Sequence, residues 1–257
     1  FHHSVVDEWS VRVFFNELAV LYAAGGELIT ADLPVLPIQY ADFSAWERRR
    51  AQGELLEPGR QYWSGQLSTL PPALELPTDG ARTVARNGHG GTFRFEIPED
   101  VAIGLKDLSQ TEKTSLFSLM LSTYFVWLYR YTGQDDLIVG TPVAHRDREE
   151  VQSLIGFFLN TIPLRLQLNG TQSFREVQRR VRQIVLAALE HCEVPFDEMV
   201  EMTRARGGKR TLFEVMFVLL EEGLEAWQLG RTRCQAMDID TGTSKADLIL
   251  SVIASGE

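Results

Sequence analysis

Residues 115–131 constrain this chain more than any other stretch. The run LFSLMLSTYFVWLYRY is apolar on almost every side of a helix and too long for one strand. Such a helix has to be enclosed by other elements. It is short for a bilayer span, and Ser118, Ser122, Thr123 and Arg130 interrupt it. What encloses it is written just beyond. Residues 137–144 form a short apolar run with Gly140 and Pro142, read as a strand end. Residues 161–168 alternate Ile162, Leu164, Leu166 and Leu168, the pattern of a strand with one buried face.

Around this centre, helices and strands follow one another without regular alternation. Residues 1–7 read as the end of a strand running into a loop. Val11, Phe14, Leu18 and Leu21 then fall at helical spacing until Gly25-Gly26. Prolines forbid a helix up to Pro37, but residues 39–50 can be helical, with Tyr40, Phe43 and Trp46 on one face. A further short helix is expected over 60–67. Pro71, Pro72, Pro77, Gly80, Gly88, Gly90 and Gly91 mark 68–91 as a long irregular connection. Phe93, Phe95 and Ile97 alternate as in a half-buried strand. Ser173-Phe174-Arg175-Glu176 is a capping box, and Val177, Val181, Ile184 and Ala188 continue its helical face. Pro195 opens another helix through Met202. Residues 212–220 and 246–253 read as strands. This mixed order predicts an α+β fold rather than a doubly wound parallel sheet.

Charge narrows the possible partners. Lys+Arg is 25 against Asp+Glu 35, a net charge of −10. That argues against general nucleic-acid binding, which relies on cations to neutralise phosphates. It leaves room for a phosphate-bearing protein partner met through a local basic patch. Cys192 and Cys234 are too few and too far apart for a disulfide framework or a zinc site. The expected setting is therefore a reducing one, the cytoplasm. The opening residues lack the basic and apolar stretches of a signal peptide, and the chain does not begin with Met. It reads as part of something longer.

The chemistry-bearing cluster is His2, His3 and Asp7. Two readings stand side by side. Either the histidines are solvated or structural, or one imidazole faces a substrate channel, where its neutral form is suited to general-base work near pH 7. Adjacent side chains on an extended segment point to opposite faces, so the pair is poorly placed to share a metal ion. His89, His145 and His191 have no metal-ligand neighbours in sequence. The chain contains no Gly-rich phosphate loop, no G-x-S-x-G elbow and no C-x-x-C.

The segment FHHSVVDEWS resembles the H-H-x-x-x-D-G motif of condensation domains from nonribosomal peptide synthetases. Further segments match in the family's order: LPIQYADFSAWERR, YRYTGQDDLIVGTPVAHRDREEVQSLIGFFLNTIPLR, HCEVPFDEMVE, LFEVMFVLLE and KADLILSV. The resemblance covers nearly the whole chain. It implies a chloramphenicol-acetyltransferase-like sandwich of mixed sheet and helices. Since the family has two similar lobes and the motif opens this chain, it also implies mainly the C-terminal lobe. Residues 1–67 would carry the active-site strand, loop and following helices of the N-terminal lobe. Residues 68–91 would connect the lobes, and 92–257 would form an incomplete C-terminal lobe. Crossover segments are expected near 140–165 and 222–243, the second containing Trp227.

The implied reaction is amide-bond formation between two carrier-bound thioesters. His3 would accept or steer the acceptor amine's proton, and His2 would pack toward structure. Asp7 would pair with an arginine and hold the loop, with Arg146 the first candidate and Arg130 the second. Backbone amides around Glu8 and Trp9 would face the oxyanion and tunnel, or only cap the helix. Gly156, Phe157, Phe158 and Asn160 would form the tunnel floor, or pack as ordinary core. No metal and no directly bound cofactor are implied, because carrier domains supply the phosphopantetheine arm. The implied partners are donor and acceptor peptidyl carrier domains, a neighbouring adenylation domain and the remaining N-terminal lobe. Neither nucleic acid nor membrane is among them.

The pattern also departs from the family. Glu8 stands where Gly is usual, His145 where Asn is usual, and a late motif is reduced to RGGKRTLF, with Lys209, Arg210, Leu212 and Phe213 roughly in place. Two alternatives follow: a catalytically inactive condensation-like platform that recruits tailoring enzymes or carrier proteins, and an epimerization-type domain. The IGFFLNT segment is that of condensation rather than epimerization. Heterocyclization domains would replace the histidines.

Overall fold

In a computed structural model the described residues are 1–26, 31–78, 88–205, 211–220, 227–237 and 239–254. Parts of the expected connection (79–87), of the late motif (206–210) and of the second crossover (222–226) lie outside them.

The apolar run forms α5 (Leu116–Thr132). Ser115 caps its first turn by accepting from the Ser118 amide, and Gly133 ends it at φ 71°, a left-handed conformation that costs glycine little. Leu119, Leu121, Phe125 and Leu128 are closed to solvent. Leu121, Phe125 and Leu128 pack with α7 (Phe174–Leu189) and with a four-stranded sheet of β1 (Asp136–Ala144), β2 (Leu159–Gln167), β3 (Val215–Leu220) and β6 (Leu248–Ile253). The order is β2-β1-β3-β6. The β1/β2 pair is antiparallel, with Val139 opposite Leu164, and the β1/β3 and β3/β6 pairs are parallel. Ile162, Leu164, Leu166 and Leu168 are all buried, as their alternation requires. The capping box is formed in both directions between Ser173 and Glu176, so α7 starts where the sequence places it.

Four more helices follow the sequence reading or sit beside it. The first, α1 (Glu8–Ala23), is N-capped by Asp7, and α2 (Tyr40–Ala51) carries Phe43 inward. A 3₁₀ turn (Glu54–Leu56) leads into α3 (Glu57–Gln66), whose Trp63 is buried and donates its indole N–H to the His191 carbonyl. Pro195 precedes α8 (Phe196–Arg204). Two helices were not legible from the pattern, α4 (Glu99–Thr111) and the single turn α6 (Glu149–Gln152). A hairpin of β4 (Trp227–Leu229) and β5 (Thr232–Cys234) also lies inside the expected second crossover. It packs on α1, where the Trp227 and Phe15 rings approach to 4.2 Å.

Two strand expectations fail. Residues 92–97 are not in a strand, and Phe93 and Phe95 are 87% and 64% exposed. Their alternation places both rings on one side, but no strand among the described residues pairs with them; an isolated bridge, His89 to Thr243, lies just before. Residues 3–5 form a turn, closed by the Val5 amide on the His2 carbonyl, instead of extending a strand.

Both cysteines are free. Among the described residues no helix is long and apolar enough to cross a membrane, and no group of three or more His, Cys, Asp or Glu is disposed to hold a metal ion.

Candidate active site

The site is assembled on the first turn of α1. As N-cap, Asp7 accepts the Ser10 amide at 2.8 Å. The same carboxylate also faces Arg146, with Nη2 to Oδ1 3.0 Å, and accepts the Phe158 amide at 3.1 Å. The expected partner is therefore the one present; Arg130 lies on α5 and has no part in this contact. The two side chains are 2% and 3% exposed. Burial alone would push the Asp7 carboxyl up. The hydrogen bonds from Ser10, Arg146 and the Phe158 amide outweigh it and hold the carboxyl below its ordinary value of 3.8.

Ser10 is a centre that the sequence reading missed. Its Oγ accepts from Arg146 Nη2 at 2.7 Å and from the Gly156 amide at 3.0 Å. Its one proton serves two acceptors, Asp7 Oδ1 and the Gly156 carbonyl, each at 2.7 Å. Every lone pair and proton of the hydroxyl is thus engaged. The spacing from an N-cap Asp7 to Ser10, the third residue of the helix, is the only signal that was available.

Arg146 extends the hold to the following loop. Its Nη1 donates to the Val151 and Leu154 carbonyls, at 2.7 and 3.0 Å, and its guanidinium lies 4.0 Å from the Phe158 ring centroid. Phe158 is 2% exposed and forms a small core with Phe43, Val151 and Leu154, against which Tyr40 and Trp46 pack. It is a core residue rather than a floor residue. Gly156 is buried too, and a Cβ there would fall on the Tyr40 ring, so only glycine fits.

Both histidines lie at the surface. His3 is exposed, and its Nδ1 lies 2.8 Å from the Val6 carbonyl. A carbonyl oxygen only accepts, so Nδ1 is the donor in this contact, and in the neutral ring the lone pair falls to Nε2. The Phe157 ring stands edge-on to the imidazole, with centroids 5.3 Å apart. His2 is exposed as well, not packed inward: the turn at 3–5 removes the alternation on which that expectation rested. Its Nδ1 accepts from the Ser4 amide at 3.2 Å, with the Ser4 hydroxyl 2.7 Å away. The proton of neutral His2 therefore sits on Nε2, opposite to His3.

Two other expected site residues turn out to be fasteners. Trp9 gives its indole N–H to the Gln152 carbonyl at 2.7 Å, tying α1 to the loop. The Asn160 side-chain amide donates to the Cys192 and Val194 carbonyls and accepts from the Phe196 amide, clamping the turn before α8. All three bonds go to backbone, so Asn160 is not presented to a channel. Glu8 faces Arg12 one turn on, at 3.6 Å. His145 joins the end of β1 to its surroundings, with Nε2 3.1 Å from the Cys192 carbonyl and Nδ1 3.6 Å from Glu47. Burial would push its imidazole down, but hydrogen bonding to Cys192 and Glu47 pushes it up to about 10.

A mixed sheet backed by long helices, with a histidine displayed from a loop pinned by a buried Asp–Arg pair, defines the chloramphenicol-acetyltransferase-like class. The chain belongs to the condensation-domain family, whose model matches residues 1–256. It is 37% identical over 253 residues to malpinin synthetase of Mortierella alpina, covering 98% of this chain and 3% of that protein. Phosphinothricin tripeptide synthetase PhsC of Streptomyces viridochromogenes is 37% identical over 234 residues, covering 89% of this chain and 21% of that one. Among solved structures, the X-domain in complex with OxyB from teicoplanin biosynthesis superposes with TM-score 0.86 at 25% identity. That match covers 98% of this chain and 56% of the other. The SgcC5 protein from Streptomyces globisporus gives TM-score 0.77 at 26% identity, covering 98% and 59%. The chain thus spans little more than half of these solved chains and a small part of the curated relatives.

Proposed function

We propose that this chain supplies the histidine and one wall of the channel in a peptide-bond-forming condensation unit of a nonribosomal peptide synthetase. The observation that carries this reading is the exposed His3 ring, whose Nδ1 faces the Val6 carbonyl and whose Nε2 points away from that bond. In the reaction, the acceptor aminoacyl nitrogen attacks the donor thioester carbonyl. A C–N bond forms, the C–S bond breaks, and the amine proton passes through Nε2 to the departing phosphopantetheine thiolate. Much of the rate comes from holding both thioesters in line, an effect that can reach about 7–11 kcal/mol. Carrier domains bring the phosphopantetheine arms, and an adenylation domain loads them. The other lobe completes the channel. Of the first-turn amides, that of Ser10 is taken by Asp7, so any oxyanion contact falls to Glu8 and Trp9.

The test is condensation between loaded donor and acceptor carriers by the complete two-lobed unit, wild type against His3→Ala. A fall of about a hundredfold or more, with the fold retained, supports the reading; an equal rate in the variant removes it. A second reading rests on the similarity to the X-domain that was solved with OxyB. In that reading the fold is a docking platform, and retained binding of a tailoring enzyme without any condensation would favour it.

A further inference from the structure

We infer that Tyr40 is a positioning residue for His3, acting through the peptide of Phe157. The phenol of Tyr40 donates to the Phe157 carbonyl at 2.9 Å. Its ring lies against Gly156, where no side chain would fit, and edge-on to Phe158, with centroids 5.2 Å apart. The Phe157 side chain is then the one that meets the His3 imidazole, at 5.3 Å. This inference rests on the reading of His3 as the reacting imidazole.

The physical argument is one of division of labour along three residues. The Gly156 carbonyl is held by the Asp7 amide at 3.1 Å and by Ser10, and the Phe158 amide by the Asp7 carboxylate. Those bonds fix the two ends of the Gly156–Phe158 segment from the α1 side. The Phe157 carbonyl between them is fixed from the α2 side by Tyr40. His3 itself is exposed, with one hydrogen bond and one ring contact to orient it. Loosening the Phe157 peptide therefore removes one of the two restraints on the imidazole. Burial, and then the Glu47 charge, push the Tyr40 phenol up, which keeps the proton that Phe157 accepts. Catalytic geometry tolerates little misplacement, so a restraint outside direct contact with substrate still affects the rate.

The experiment uses Tyr40→Phe in the complete condensation unit with its loaded carriers, beside His3→Ala. Phenylalanine keeps the packing against Gly156 and Phe158 and removes only the donor. The expected result is about a tenfold lower kcat with KM for both carriers unchanged, the scale of losing one orienting hydrogen bond. A second readout is independent of turnover. In proton NMR spectra the His3 ring protons of the wild type carry the ring-current shift of the edge-on Phe157 ring, and in Tyr40→Phe that shift averages towards that of an unrestrained imidazole. Unchanged His3 ring shifts overturn the inference, whatever the rate does. So does a variant that no longer folds by thermal melting, because Tyr40 would then be a structural keystone. If the shifts average while His3→Ala turns over like wild type, Tyr40 does orient His3 and the role given to His3 is what fails.

Discussion

The Asp7 carboxylate and the Arg146 guanidinium lie 3.0 Å apart with both side chains all but closed to solvent, joining residues 139 positions apart in the chain. Neither charge could be left in that position alone. Removing one partner of a buried pair strands the other and typically costs about 3–5 kcal/mol. Asp7→Ala and Arg146→Ala are therefore each expected to lower the denaturation midpoint and the soluble yield of the condensation unit, together with its activity. A variant as stable as wild type but inactive would instead give Asp7 a direct part in the chemistry.

The same pair sets an acid limit. The Asp7 carboxyl is held below its ordinary value of 3.8 in the folded chain, so the folded state favours the ionised form. Its contribution is complete above the unfolded value and fades as pH falls from there through the folded one. Stability measured by urea unfolding between about pH 5 and pH 2 should drop over that interval, and Asp7→Asn should flatten the drop.

His145 carries the opposite sign. Its imidazole is pushed up to about 10 from an ordinary 6.5, so it is charged at neutral pH between Cys192 and Glu47. The stability it confers is complete below 6.5 and is lost as pH rises through the folded value. Titration followed by proton NMR should place its midpoint well above that of a free imidazole, and Glu47→Gln should bring it down. A midpoint near 6.5 in the wild type would contradict the arrangement.

Gly156→Ala tests the close approach behind the loop. The added methyl would fall on the Tyr40 ring and close to Phe158. Overpacking of this kind costs about 1–3 kcal/mol. The expected outcome is a lowered melting temperature together with slower condensation, and Tyr40→Leu in the same chain should recover part of the stability.

Glu8 lies on the first turn of α1 beside Arg12, partly exposed. Replacing it with Gly should leave stability within about 0.5–1 kcal/mol, because an exposed pair of this kind contributes little. We expect the change in acceptor choice instead, with acidic aminoacyl acceptors gaining most once the carboxylate is gone. Identical relative rates for acidic, neutral and basic acceptors in the two proteins would dismiss a selectivity role.

Local pattern determined a good deal of this molecule. The apolarity of 116–131 gives a helix that buries most of its length, although one face with Trp127 and Tyr131 stays exposed; the alternation of Ile162 to Leu168 gives a one-faced strand, and the Ser173–Glu176 box starts α7, because each depends only on neighbours within a turn or a pleat. The ordered motifs were enough to place the chain in its family. Tertiary structure decided the rest. Phe93 and Phe95 alternate, but alternation says which side a ring takes, and pairing needs a second strand at that edge. The histidines were expected on opposite faces of an extended segment, and a turn between His2 and Val5 put both at the surface. Trp9, Phe158 and Asn160 sit in motif positions but spend their polar or apolar groups on packing, which depends on what lies across from them. Ser10 and Tyr40 lie inside motif segments, but nothing local to those segments marks what they hold. Their importance comes from Gly156 and Phe157, residues brought against them only when the chain closes on itself.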